Sequence, residues 1–99
     1  MTNLAALQSL TEYSNSALFE KIMLDRGVTA GTDYTGTAAQ QKAIDLCYAD
    51  VCVYLANHPE VTEGSFKAKY TAKDLINTAQ ALYAKHGVST AIISGAAIW

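Results

Sequence analysis

TAAQQKAIDLCYADVCVYLANHP, residues 37–59, is the stretch that decides how this chain folds. Thr37 followed three positions later by Gln40 is a capping-box pattern, which opens a helix. Pro59 closes it, because a proline pushes the residue before it out of helical geometry, so the helix ends at His58. Ala43, Ile44, Cys47, Val51, Tyr54, Leu55 and His58 project within one broad sector. The opposite side is hardly more polar, since Leu46, Ala49, Cys52, Val53 and Ala56 lie there. Between Leu46 and Ala56 the sole charge is Asp50. A helix apolar nearly all round is a buried one. This is the central helix of the fold.

Working outward toward the N-terminus, residues 4–13 read as a first helix capped by Thr2 or Asn3, with Leu4, Leu7 and Leu10 on one side. Ser14-Asn15-Ser16 breaks it, and Ser16 caps a second helix over residues 17–26. Leu18, Phe19, Ile22 and Met23 form its apolar face, and Gly27 follows in the C′ position. Residues 28–36, VTAGTDYTG, form a turn-rich loop with little periodicity.

Toward the C-terminus, residues 60–64 make a turn, and SFKAKY, residues 65–70, then alternates. Phe66, Ala68 and Tyr70 fall on one face, with Ser65, Lys67 and Lys69 on the other. That period of two marks a short strand. Thr71 caps a last helix, with Asp74 near its positive end. Ala72, Leu75, Ile76, Ala79, Leu82, Tyr83 and His86 line one face of it, Lys85 and His86 suit its negative end, and Gly87 stops it. The fold class is therefore mainly α. A small four-helix domain spans residues 1–87, with one short extended strand before the last helix. An extended apolar C-terminal arm occupies residues 88–99.

Composition narrows the function. Ninety-nine residues make one domain, and 51% apolar with only 16% charged residues suggests a surface partly covered by another subunit. The net charge is −2 and the basic residues are scattered, so phosphate-driven nucleic-acid binding has no electrostatic source. MTNLAALQSL has neither a positive n-region nor a long apolar run and is not a secretion signal. Cys47 and Cys52 fall about 140° apart around a helix, too divergent to bridge, and two thiols fit a reducing interior.

The same residues do not assemble into catalytic or metal chemistry. His58 lies eleven residues after Cys47, on the same face but three turns away, so no thiol–base pair forms. The gaps among Cys47, Cys52, His58 and His86 are five, six and twenty-eight residues, unlike paired zinc ligands. His58 and His86 read instead as helix-terminal histidines facing carbonyls. No glycine-rich phosphate loop is present, and Asp45 points away from Asp50, so no carboxylate pair stands ready for acid–base work. The expectation is a protein without enzymatic activity, metal or cofactor. Asp50 is read as a structural buried polar residue. It meets Arg26, a lysine or a hydrogen-bond donor, or else lies at a subunit boundary.

The arm, VSTAIISGAAIW, carries no charge and is too short to span a bilayer as a helix. Contiguous apolar surface of this kind marks a binding site. Burial of Ile92, Ile93, Ile98 and Trp99 falls short of the entropy of ordering twelve residues unless a preformed groove receives them. The arm is thus expected to be mobile in a lone molecule and ordered in an assembly; the competing reading folds it back over the last helix. Phe66, Ala68 and Tyr70 offer a strand to a neighbouring chain by β-addition, or else pair locally.

Taken together, AIDLCYADVCVYLANHPEV, then Glu63-Gly64-Ser65-Phe66 leading through Tyr70 and Thr71 into LINTAQALYAKHG, resemble the head–tail connector (head-completion adaptor) proteins of tailed bacteriophages. The resemblance covers residues 3 to 87 and rests on the EG pair, the short strand and the helix closing in Tyr83-Ala84-Lys85-His86-Gly87. It implies a virion protein, assembled in the host cytoplasm, that forms a homo-oligomeric ring with the portal's twelve-fold symmetry. Such a ring extends the DNA channel and meets the portal and the next tail component. DNA passes through without sequence-specific binding, and no membrane is involved. A sequence pI near 5.5 suits a bore along which phosphates slide. The longer loop at residues 28–36 and the strongly apolar arm depart from the family's pattern. The rival reading is a generic helical interaction module, a cytosolic regulator that oligomerises through the same arm.

Overall fold

The computed structural model describes residues 1–11, 13, 15–58 and 72–88. These residues hold four helices: α1 (Asn3–Gln8), α2 (Ser16–Asp25), α3 (Ala38–Asn57) and α4 (Ala72–Lys85). The protein is a small, mainly helical domain, as the apolar periodicities require, with no sheet among the described residues. The expected strand at residues 65–70, the Thr71 cap and the arm beyond Val88 lie outside them. The chain divides into two units, Met1–Tyr48 and Ala49–Trp99, and α3 runs through the division.

In the first unit α1 packs on α2. Thr2 is the N-cap, its Oγ1 accepting from the Ala5 amide at 3.1 Å. The helix is shorter than its leucine spacing suggests. Ser9 Oγ donates to the Ala6 carbonyl at 2.6 Å, and the amide of Leu10 turns to Leu7 at 3.1 Å. A hydroxyl bonded back to the helix competes with its ladder. Leu10 is left 42% exposed, so it does not join Leu7, which is fully buried.

α2 begins at Ser16, and its cap is Asn15 rather than Ser16, with Asn15 Oδ1 accepting from the Leu18 amide at 3.1 Å. Phe19, Ile22 and Met23 are buried, whereas Leu24 is 76% exposed. On the exposed side Lys21 Nζ lies 2.8 Å from Asp25 Oδ2. That hydrogen bond and the carboxylate's charge raise the lysine above its ordinary 10.5. Water screens so exposed a pair, and its effect on stability is small.

The end of α2 shows what Gly27 is for. Its φ of 74° lets the Gly27 amide reach Leu24 at 3.0 Å and the Val28 amide reach Met23 at 2.8 Å. These are the two bonds of a Schellman motif. The loop that follows is tied to the start of α1. Asn3 donates its amide to Thr32 at 2.8 Å and its Nδ2 to Thr29 at 2.9 Å. Leu4 donates to Ala30 at 3.0 Å, and Tyr34 to Met1 at 2.7 Å. Thr2 and Asp33 form an isolated antiparallel bridge. A segment without periodicity is thus held by four hydrogen bonds to the N-terminal residues, two of which, Asn3 to Thr32 and Tyr34 to Met1, make that bridge.

α3 opens on the expected cap, with Thr37 Oγ1 accepting from the Gln40 amide at 3.3 Å. The reciprocal half of the box lands elsewhere. Gln40 Oε1 accepts from the amide and hydroxyl of Thr35, not from Thr37. Ile44, Leu46, Cys47, Ala49, Val51, Cys52, Val53 and Leu55 are all buried, so the middle of α3 is covered on every side. Both thiols belong to that buried set.

Candidate assembly site

α4 is strongly amphipathic. Leu75, Ala79 and Tyr83 are buried along one line of it, with Lys73, Asp74, Asn77, Gln80 and Lys85 exposed. Spacings of four residues stack these three side chains on one face. Asp74 in the first turn and Lys85 in the last complement the helix dipole.

Within the second unit, Tyr83 Oη donates to Asp50 Oδ1 at 2.5 Å, joining α4 to α3 across 33 positions of sequence. Tyr83 is fully buried and Asp50 half-buried. A hydrogen-bond donor is among the partners open to Asp50 in the sequence, and the one seen here comes from a residue that periodicity sorts as apolar. The signal was present. A buried phenol needs an acceptor and a carboxylate in an apolar helix needs a donor.

Four residues beyond Tyr83 the helix stops at Gly87, whose φ is 69°. The Gly87 amide reaches Ala84 at 3.2 Å and the Val88 amide reaches the Tyr83 carbonyl at 2.8 Å. This is a second Schellman motif, matching that at Arg26-Gly27-Val28. Tyr83 therefore connects its hydroxyl to Asp50 and its carbonyl to Val88. Val88 is half-buried, so the first residue assigned to the arm is part of the helix cap.

All of the residues expected at the interface, Phe66, Ala68, Tyr70, Ile92, Ile93, Ile98 and Trp99, lie outside the described residues. At the end of α3, His58 Nδ1 sits 2.8 Å from the Tyr54 carbonyl, and its ring stacks on that of Tyr54 at 4.0 Å. This is the helix-terminal role that its place before Pro59 suggests. Among the described residues no cluster of three or more His, Cys, Asp or Glu is placed to hold a metal ion. No helix among them is long and apolar enough to cross a membrane.

Residues 1–98 match the model of a family described as a family of unknown function, DUF6706. The chain belongs to that family. The match takes in both units of this DUF6706 protein and all but the last residue of its arm. No curated protein and no solved structure matches it.

Proposed function

We propose that this DUF6706 protein is a non-enzymatic virion component, a ring-forming connector between the portal and the tail of a tailed bacteriophage. One observation carries the reading. An uncharged stretch of twelve residues, 88–99, begins at a residue fixed by a helix cap, on a domain with few charges to spare. Such a stretch needs a neighbour to receive it, and a ring supplies one for every copy. The resemblance of residues 3 to 87 to connector proteins supplies the kind of assembly. The scattered basic residues and the pI near 5.5 suit a channel that DNA traverses without being gripped. The partners are further copies of the chain, the portal and the next tail component.

Electron microscopy of the purified protein, alone and with a portal, tests this directly. Closed rings, free or seated on the portal, are expected. A species that remains a monomer or a plain dimer under both conditions refutes the connector assignment.

A further inference from the structure

We infer that the exposed face of α4 built from Asp74, Thr78, Ala81 and Lys85 docks on the same face of a second copy of the chain, antiparallel about a twofold axis. Such a contact is separate from the ring of the preceding reading. A twofold contact closes on itself after two chains, whereas a ring repeats one contact head to tail. The four residues are spaced four, three and four positions apart, which is the period of a seam between two helices. All four are exposed, while Leu75, Ala79 and Tyr83 carry the other, buried side of the helix.

The order of these residues makes the seam complementary to itself. Read in reverse along a second copy, Asp74 falls against Lys85 and Thr78 against Ala81, and the same two pairs recur in the other half. Asp74 and Lys85 stand eleven residues apart, about 16 Å along the axis and within about 20° of one line around it. An antiparallel copy therefore meets opposite charges at both ends, whereas a parallel one meets like charges at both. At the centre, Thr78 and Ala81 are small enough to let two helices approach closely. The Thr78 hydroxyl donates to the Asp74 carbonyl at 3.0 Å, so its donor is engaged on its own helix and its methyl group is left for the neighbour. Beside the seam Asn77 falls against Ala84, so no like charges are set together there. With no large apolar side chain in it, the contact is weak and salt-sensitive, in the class of transient interfaces.

The test uses the full chain, with self-association followed by sedimentation velocity over a concentration series extending into the millimolar range. Wild type should form a dimer that loosens as salt is raised. Asp74→Lys alone and Lys85→Asp alone each set like charges together at both ends, and each should weaken dimerisation roughly tenfold. Mixed in equal amounts, the two variants should recover association as a heterodimer, because every contact between positions 74 and 85 then joins opposite charges. Both changes oppose the helix dipole, so circular dichroism checks that the helices are formed. Should either variant fail to fold, Asp74→Asn combined with Lys85→Gln removes the charges without reversing them, and its association should no longer respond to salt.

A wild-type chain that stays monomeric throughout overturns the proposal. A dimer that tolerates both reversals undiminished overturns it, as does a mixture that fails to recover. Closed rings that persist in both single variants, with no dimer in wild type, overturn it and leave the connector reading standing. A dimer that follows the charge pattern, with no ring free or on the portal, supports this contact and refutes the connector assignment.

Discussion

Tyr83 Oη and Asp50 Oδ1 meet at 2.5 Å across 33 residues, so the half-buried charge in the apolar helix α3 is answered by a phenol from α4. Hydrogen bonds to charged groups contribute about 1.5–3 kcal/mol. Tyr83→Phe keeps the ring and removes this bond, so a loss of about 1.5–3 kcal/mol is expected in reversible urea denaturation. A change below about 0.5 kcal/mol would show that the bond adds nothing net to stability.

The start of α2 distinguishes two adjacent residues. Asn15 supplies the capping oxygen to Leu18, whereas Ser16 is already inside the helix. Asn15→Ala should cost about 0.5–2 kcal/mol and Ser16→Ala should be close to neutral. Thermal unfolding of the two variants side by side decides between them. The reverse order would restore Ser16 as the cap.

Glycine substitutions should divide by backbone conformation rather than by space. Gly27 and Gly31 both have room for a Cβ, with nothing within 4 Å, but only Gly27 has a positive φ. Gly27→Ala should therefore cost about 1–2 kcal/mol. Gly31→Ala should be neutral or stabilising by up to about 1 kcal/mol, because it restricts the unfolded chain. Equal effects in chemical denaturation would contradict the assigned turn.

Two apolar residues of α2 should behave oppositely. Phe19 is fully buried and Leu24 is 76% exposed. Phe19→Ala should cost about 3–5 kcal/mol, a cavity-forming loss. Leu24→Ala should change the stability of the isolated chain by less than about 0.5 kcal/mol. A large effect of Leu24→Ala at low protein concentration would mean that its side is covered within one molecule.

The elements most readable in the sequence are those with a strong period or an obligatory residue. The all-round apolar pattern of residues 43–56 marks α3 as buried, and eight of its residues are. Gly27 and Gly87 announce helix ends because only a residue tolerant of positive φ closes a Schellman motif cheaply. The end of α1 was not readable from its leucines. Leu4, Leu7 and Leu10 keep a helical period, yet the Ser9 hydroxyl bonds the Ala6 carbonyl and the ladder stops. The loop over residues 28–36 carries no period at all, because main-chain groups make most of its links to Met1, Asn3 and Leu4. Such bonds leave little trace in side-chain type. In the pair that joins α3 to α4, Asp50 stands out through its isolated charge, while Tyr83 is concealed by its place on an apolar stripe.

The four hydrogen bonds between the N-terminal residues and the loop have a consequence for fragments of this chain. A cut between Arg26 and Gly27 would sever α2 from the loop, yet the bonds from Met1, Asn3 and Leu4 to residues 29–34 would straddle the break. The pieces would hold each other as a split protein, and that junction is the natural place to divide the polypeptide for complementation.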